Sequence, residues 1–203
     1  LGGGSADAAA VLRLAARAWN ANDIDLPALA LGLGADVPVC LAGKPVRMRG
    51  VGEVLEPILT LPEAWLVLVN PGIALETAPV FRARNGAFSQ VPPALPSSIP
   101  DAEALADMLR PRRNDLQQAA ISLCPVIAQV LAALEAQQDC LLARMSGSGA
   151  SCFGLFATQG HAEAALPDLR RQGWWAEAGR ILPAPPTITP RTEADASGGR
   201  ATA

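Results

Sequence analysis

Three consecutive glycines at residues 2–4, followed by Ser5, are the feature that most constrains the fold. They lead directly into a stretch over residues 8–19 whose apolar side chains recur at helical spacing. Glycine lets backbone N–H groups turn inward without a Cβ clash, and a helix N-terminus adds partial positive charge. A turn with one positive φ would not require three such residues. The pattern indicates a phosphate-binding loop; the alternative is a tight turn whose helix is capped by Ser5 or Asp7.

The composition is that of a globular chain and argues against several classes of function. Half of the 203 residues are hydrophobic, and the net charge of −3 with 4% aromatic residues disfavours a nucleic-acid binder. The longest charge-free run, residues 116–134, contains polar side chains, so we expect no membrane span. A Cys/His zinc site lacks its ligand set, because there is one histidine and no C-x-x-C pair. The free thiols lead us to expect a cytoplasmic protein.

The common nucleotide motifs do not fit this chain. Lys44 is the only lysine and lies outside any G-x-x-x-x-G-K-[ST] frame, and no G-x-G-x-x-G occurs. Asp36 stands at the start of an apolar segment, residues 37–41, that we expect to be a buried strand. From its position alone it is either a turn or capping acceptor or a functional acid, and the turn is the commoner case. A second flexible loop, Ser-Gly-Ser-Gly at residues 146–149, is predicted between two apolar strands.

The order of the predicted elements indicates an α+β fold. After two helices at 8–19 and 26–31, and a turn and strand at 43–52, the clearest strand is 65–69. A helix capped by Asp101, a long helix over 115–136, strands at 140–145 and 151–156, a helix at 161–172 and a strand at 174–181 follow. From residue 65 onward this is a split βαββαβ unit of ferredoxin-like type. Residues 183–203, rich in Pro, Thr, Ala and Gly without a period, are expected to be a disordered tail.

Five segments, in this order, resemble the small-molecule kinases of the GHMP superfamily. They are LGGGSADAA from Leu1, LGADVPV from Leu33, GVGE from Gly50, NPG from Asn70 and MSGSGASCF from Met145. The match is most specific to the branch that phosphorylates a diphosphocytidyl alcohol in the non-mevalonate isoprenoid pathway. The resemblance implies a GHMP kinase fold, with an incomplete N-terminal α/β domain (ribosomal protein S5 domain 2-like) in residues 1–60. A C-terminal ferredoxin-like βαββαβ domain is expected in residues 61–182.

The resemblance also implies which residues carry function. Asp36 falls on the family's catalytic aspartate, and Val51 and Thr77 fall where members contact the diphosphocytidyl substrate. ATP and Mg²⁺ are the implied cofactors. The ATP phosphate loop would include Leu1, Gly2, Gly3, Gly4 and Ser5.

The chain departs from the family pattern at two points. Ala6 stands where members commonly carry a second serine, which leaves the metal ligands unassigned. The family's catalytic lysine and much of its cytidine pocket would precede Leu1, so we expect no kinase activity from this chain expressed as it stands. Two alternatives remain open: another GHMP kinase acting on homoserine, mevalonate or a sugar, and a non-catalytic remnant of such an enzyme.

Overall fold

The computed structural model describes residues 3–21, 23–57, 60–90, 95–96 and 98–182. The expected tail at 183–203 lies outside these ranges, as do Leu1, Gly2 and part of the proline-rich loop. No helix of the described ranges is long and apolar enough to cross a membrane.

The described residues of the first part of the chain, up to residue 57, form three helices and a β-hairpin. The helices are α1 (Gly3–Ala18), α2 (Leu26–Leu33) and α3 (Val37–Ala42), and the antiparallel strands are β1 (Val46–Arg49) and β2 (Val54–Pro57). Asp25 begins α2 by accepting a hydrogen bond from the Ala28 N–H at 3.0 Å. Ala9, Ala30 and Val37 form the small buried core between the three helices.

The segment expected to be a strand at residues 37–41 is a helix, so that prediction was wrong. Pro38 occupies the first turn of α3, where its missing N–H costs no hydrogen bond. Gly43, with φ +60°, ends the helix in the left-handed conformation. The Arg13 guanidinium then donates to the carbonyls of Cys40 and Leu41 at 3.0 and 3.2 Å, which satisfies the last turn.

The second part is built on a four-stranded antiparallel sheet. Its strands are β3 (Trp65–Asn70), β4 (Leu142–Met145), β5 (Cys152–Phe156) and β6 (Trp175–Arg180), in the order β4-β5-β3-β6. The central strand β3 pairs with both β5 and β6. This strand order confirms the ferredoxin-like βαββαβ arrangement expected from the sequence.

Five helices accompany this sheet. They are α4 (Thr77–Ala83), α5 (Ala102–Leu109), α6 (Gln117–Leu123), α7 (Val126–Glu135) and α8 (Gln159–Arg171). Asp101 caps α5 through the Ala104 N–H at 2.8 Å, as expected. The single long helix expected over 115–136 is two helices, because Pro125 cannot donate the helical hydrogen bond and its ring displaces the preceding turn.

Both faces of the sheet are covered by apolar side chains. Val67 of β3 packs with Ile127, Leu134 and Phe156 on the face that meets α7 and α8. The alternate residue Leu66 turns to the opposite face and packs on the cluster that includes helix α5. Burial raises the pKa of the Cys152 thiol, on the first of these faces, to about 12.

Candidate functional site

The glycine segment is the first turn of a helix in the structure. Helix α1 begins at Gly3, so the expectation of a loop at residues 3–5 was wrong for the described part of the segment. A Cβ at Gly3 or Gly4 would meet no other atom within 4 Å. The first N–H groups of a helix have no partner within it and carry its partial positive charge. Open space in front of such a turn can accept an anion.

Asp36 lies between α2 and α3, at the residue that begins α3. Its side chain is exposed and makes no capping hydrogen bond to the helix that follows. The carboxylate of Asp36 therefore does not act as the turn or capping acceptor that its position in the sequence favoured. An uncapped carboxylate on a short, well-anchored junction can accept a proton from a bound hydroxyl group.

The turn between β1 and β2 packs against the residue that precedes Asp36. Gly52 is buried with φ +106°, and a Cβ there would lie 2.3 Å from the carbonyl oxygen of Ala35. Only glycine fits this approach. The neighbouring Val51 donates its N–H to Oε2 of Glu53 at 2.6 Å, and its side chain is 73% exposed. The structure therefore places the backbone of this turn, next to Val51, against the backbone next to Asp36.

Thr77 belongs to a second group, which surrounds the Ser-Gly-Ser-Gly loop between β4 and β5. Its Oγ1 shares a hydrogen bond of 2.8 Å with Oγ of Ser148. Asn70 at the end of β3 donates from Nδ2 to Oγ of Ser151 at 2.9 Å and accepts the Gly72 N–H at 2.7 Å. Two segments that lie far apart in the sequence, NPG and MSGSGASCF, thus form one surface with the start of α4.

Asn114 is a member of this second group that sequence reasoning missed. Its Nδ2 donates to the carbonyl oxygens of Met145 and Gly147 at 3.0 and 2.8 Å and so fixes the loop from behind. Its Oδ1 accepts the Leu116 N–H at 3.0 Å, which is an ordinary turn contact. From the sequence, Asn114 is predicted only as a turn residue. Its contacts to the distant loop cannot be predicted from its neighbours in the sequence.

No hydrogen bond links the described candidate residues of the first part of the chain to the group around the Ser-Gly-Ser-Gly loop. Within the described ranges no hydrogen bond joins Gly3, Asp36 or Val51 to Thr77 or Ser148. The described residues also contain no cluster of three acidic, histidine or cysteine side chains that could hold a metal ion.

Two glycines of the loop provide a matched test of its geometry. Gly149 has φ +91°, and a Cβ there would lie 3.0 Å from Sδ of Met145 and 3.3 Å from Cδ1 of Ile127. We expect Gly149→Ala to lower the free energy of unfolding by about 2–3 kcal/mol, from backbone strain and overpacking. Gly147→Ala has a positive φ but open space, so about 1 kcal/mol is expected. Urea unfolding of both variants checks the order, and equal losses would contradict it.

The chain is similar to proteins of one family. The family model described as GHMP kinases C terminal matches residues 93–173. The 4-diphosphocytidyl-2-C-methyl-D-erythritol kinase of Paramagnetospirillum magneticum is 54% identical over 90% of this chain. The protein of the same name from Cereibacter sphaeroides is also 54% identical over 90% of it. The chain spans 65% and 66% of the length of these two relatives.

Solved structures give the same result for the fold. A crystal structure of 4-(cytidine 5'-diphospho)-2C-methyl-D-erythritol kinase aligns with a TM-score of 0.69 and 39% identity. The alignment covers 88% of this chain and 65% of that one. Homoserine kinase from Cytophaga hutchinsonii aligns over 73% of this chain and 51% of its own, with a TM-score of 0.51 and 17% identity, which supports the fold alone.

Proposed function

We propose that this chain, which belongs to the GHMP kinases, acts in the ATP-dependent phosphorylation of the 2-hydroxyl of 4-diphosphocytidyl-2-C-methyl-D-erythritol. This is a step of the non-mevalonate route to isopentenyl diphosphate. The observation that carries the proposal is the exposed, uncapped carboxylate of Asp36, in a chain 54% identical to kinases of that name. The 17% identity to a homoserine kinase is far lower and favours no second substrate.

Asp36 would be the residue that orients and accepts the proton of the attacking hydroxyl. Phosphoryl transfer passes through a largely dissociative transition state, so positioning and charge matter more than a strong base. A carboxylate can hold the hydroxyl in line with the phosphate and take its proton as the new P–O bond forms. The lack of a capping hydrogen bond leaves both oxygens of Asp36 available for this.

The N-terminus of α1 would hold the phosphates of ATP. No described atom outside the helix lies within 4 Å of where a Cβ at Gly3 or Gly4 would stand, and their N–H groups would provide donors together with that of Ser5. Magnesium usually binds through one or two carboxylates and the substrate phosphates. Such a site does not require a cluster of three protein ligands, and the described residues contain none. When bound, Mg²⁺ would neutralise charge on the phosphates.

The substrate would lie between the turn that carries Val51 and the start of α4. Thr77 is held by Ser148, and its hydroxyl can still offer a hydrogen bond to a phosphate or sugar oxygen. Phe81 lies one helical turn after Thr77, and 56% of its surface is exposed. An exposed aromatic ring beside a polar anchor suits a stacked base, such as the cytosine that the names of the relatives include.

We place this activity in the cytoplasm, without a nucleic-acid partner. Cys40, Cys124, Cys140 and Cys152 are all free thiols, which suits a reducing compartment. The net charge of −3 argues against binding to a phosphate backbone.

A substrate panel tests the proposed function. The product of the complete gene is incubated with ATP and Mg²⁺ and one of four alcohols: the diphosphocytidyl compound, homoserine, mevalonate or galactose. We expect phosphate transfer, followed by mass spectrometry, to the diphosphocytidyl compound alone or with a kcat/KM at least about 100-fold above the others. Preferred phosphorylation of another alcohol would contradict the proposed substrate but would agree with a kinase activity. ATP hydrolysis without transfer, or no transfer to any of the four alcohols, would contradict both the substrate and the kinase activity.

A further inference from the structure

A polar cavity of about 430 Å³, here called the arginine pocket, lies beyond the end of α4 that is opposite to Thr77. Arg84 follows the last residue of that helix, and seven residues of helix at 1.5 Å each place it about 10 Å from Thr77 along the axis. The Arg84 side of the pocket therefore lies apart from Thr77. Its lining includes Arg84, Arg110, Arg113, Arg144, Asn114 and Asp115.

The charges of the arginine pocket do not balance. Among the described residues, Asp115 is the only acid that lines it, and this carboxylate already accepts hydrogen bonds from the N–H and the hydroxyl of Ser89. These bonds hold the pKa of Asp115 below its usual range, and the charges of Arg84 and Arg113 add to the effect. Outside the lining, Asp107 forms an ion pair of 3.2 Å with Arg110. Four guanidinium groups thus face two carboxylates, an excess of two positive charges.

Two arginines are fixed in place before any ligand arrives. Arg144 donates from Nη2 to the carbonyl oxygen of Leu109 at 3.1 Å, and Arg110 donates from Nη2 to that of Leu141 at 3.3 Å. Each guanidinium has five N–H donors, so most remain available. Burial lowers the pKa of Arg144, because part of its charge has lost water without gaining an anion.

Arg84 has buried donor atoms without hydrogen-bond partners. Its Nε and Nη2 atoms are buried and have no hydrogen-bond partner in the described part of the chain. The guanidinium carbon lies 3.5 Å from the centre of the Phe88 ring, which orients the group but provides no acceptor. A buried charged donor without an acceptor is costly. Because Arg84 lines the cavity, an anion bound there would offset part of that cost through its charge.

We propose that the arginine pocket binds a phosphate-bearing small molecule, with its phosphoryl oxygens held by Arg84, Arg113 and Arg144. Guanidinium groups match phosphate oxygens in a bidentate geometry, and several converging on one cavity select a multiply charged anion. A cavity of about 430 Å³ accommodates a small metabolite rather than a single ion. Asn114 borders the pocket and also fixes the Ser-Gly-Ser-Gly loop, so a bound anion lies one side chain away from the second group of site residues.

Calorimetric titration with inorganic pyrophosphate tests the proposal on this chain. We expect a binding event that persists in Gly3→Val, where the N-terminus of α1 is altered, and a Kd for that event raised at least about tenfold by Arg84→Gln and by Arg113→Gln. Arg180→Gln is the matched control, because Arg180 is on β6 at the opposite edge of the sheet and pairs only loosely with Glu63 at 3.7 Å. It should leave the Kd unchanged.

Three results would overturn the proposal. The first is that pyrophosphate does not bind. The second is that Arg180→Gln weakens pyrophosphate binding as much as the pocket variants do. The third is that Gly3→Val removes pyrophosphate binding while Arg84→Gln and Arg113→Gln retain it. The last result would assign the anion to the N-terminus of α1. If Arg84→Gln loses its fold by circular dichroism, the exposed Arg113 decides the question alone.

Discussion

We expect the replacement of Asp36 with asparagine to lower kcat at least about 100-fold in the product of the complete gene, with a much smaller effect on the KM for ATP. Asparagine keeps the size of the side chain but cannot accept the proton of the attacking hydroxyl. Because Asp36 is exposed and makes no capping hydrogen bond, the change leaves the junction between α2 and α3 intact. Steady-state kinetics with the diphosphocytidyl alcohol measures the effect.

Asp23→Asn is the matched control for this experiment. Asp23 is an exposed acid that precedes α2, so the variant loses the same charge in the same part of the chain. Its kcat should stay within about twofold of the unmodified enzyme. An unchanged kcat in Asp36→Asn, or an equal loss in both variants, would contradict the assignment of the catalytic carboxylate.

We expect the replacement of Gly3 with valine to weaken ATP binding at least about tenfold. The branched side chain would occupy the space through which the N–H groups of the first turn of α1 reach a phosphate. Because a Cβ at Gly3 meets no described atom outside its own helix turn within 4 Å, we expect the loss to come from the blocked phosphate contact. Titration of the protein with ATP, followed by calorimetry or fluorescence, gives the Kd.

Gly160→Val controls for the cost of valine at the start of a helix. Gly160 is the second residue of α8, and a Cβ there also meets nothing within 4 Å. Normal ATP binding is expected in that variant. Normal ATP binding in Gly3→Val as well would mean that the glycine segment serves only to start the helix.

The later fold was predictable because its signals are local. The continuous apolar run of β3, a capping aspartate at 101 and the glycine-containing turn between β4 and β5 each identify their own element, and together they give the βαββαβ order. The short apolar segment 37–41 was assigned wrongly, because periodicity cannot distinguish a buried strand from a helix over so few residues. The division of the chain at residue 60 stays a prediction.

The candidate site was predictable only in part. The motifs around Asp36, Val51 and Thr77 could be read from the sequence, and their roles remain predictions. Asn114 could not be found, because its contacts to Met145 and Gly147 span more than 30 residues and depend on the folded loop. The arginine pocket was equally hidden, because its four arginines come from three separate places in the chain: the end of α4, the segment after α5, and β4.

A structure of the complete gene product with a non-hydrolysable ATP analogue and the diphosphocytidyl alcohol tests the central claim most directly. The account predicts the nucleotide phosphates at the N–H groups of Gly3 and Gly4, and an oxygen of Asp36 about 3 Å from the 2-hydroxyl of the substrate. Nucleotide phosphates bound elsewhere, or a hydroxyl group beyond the reach of Asp36 directly or through one water molecule, would contradict it.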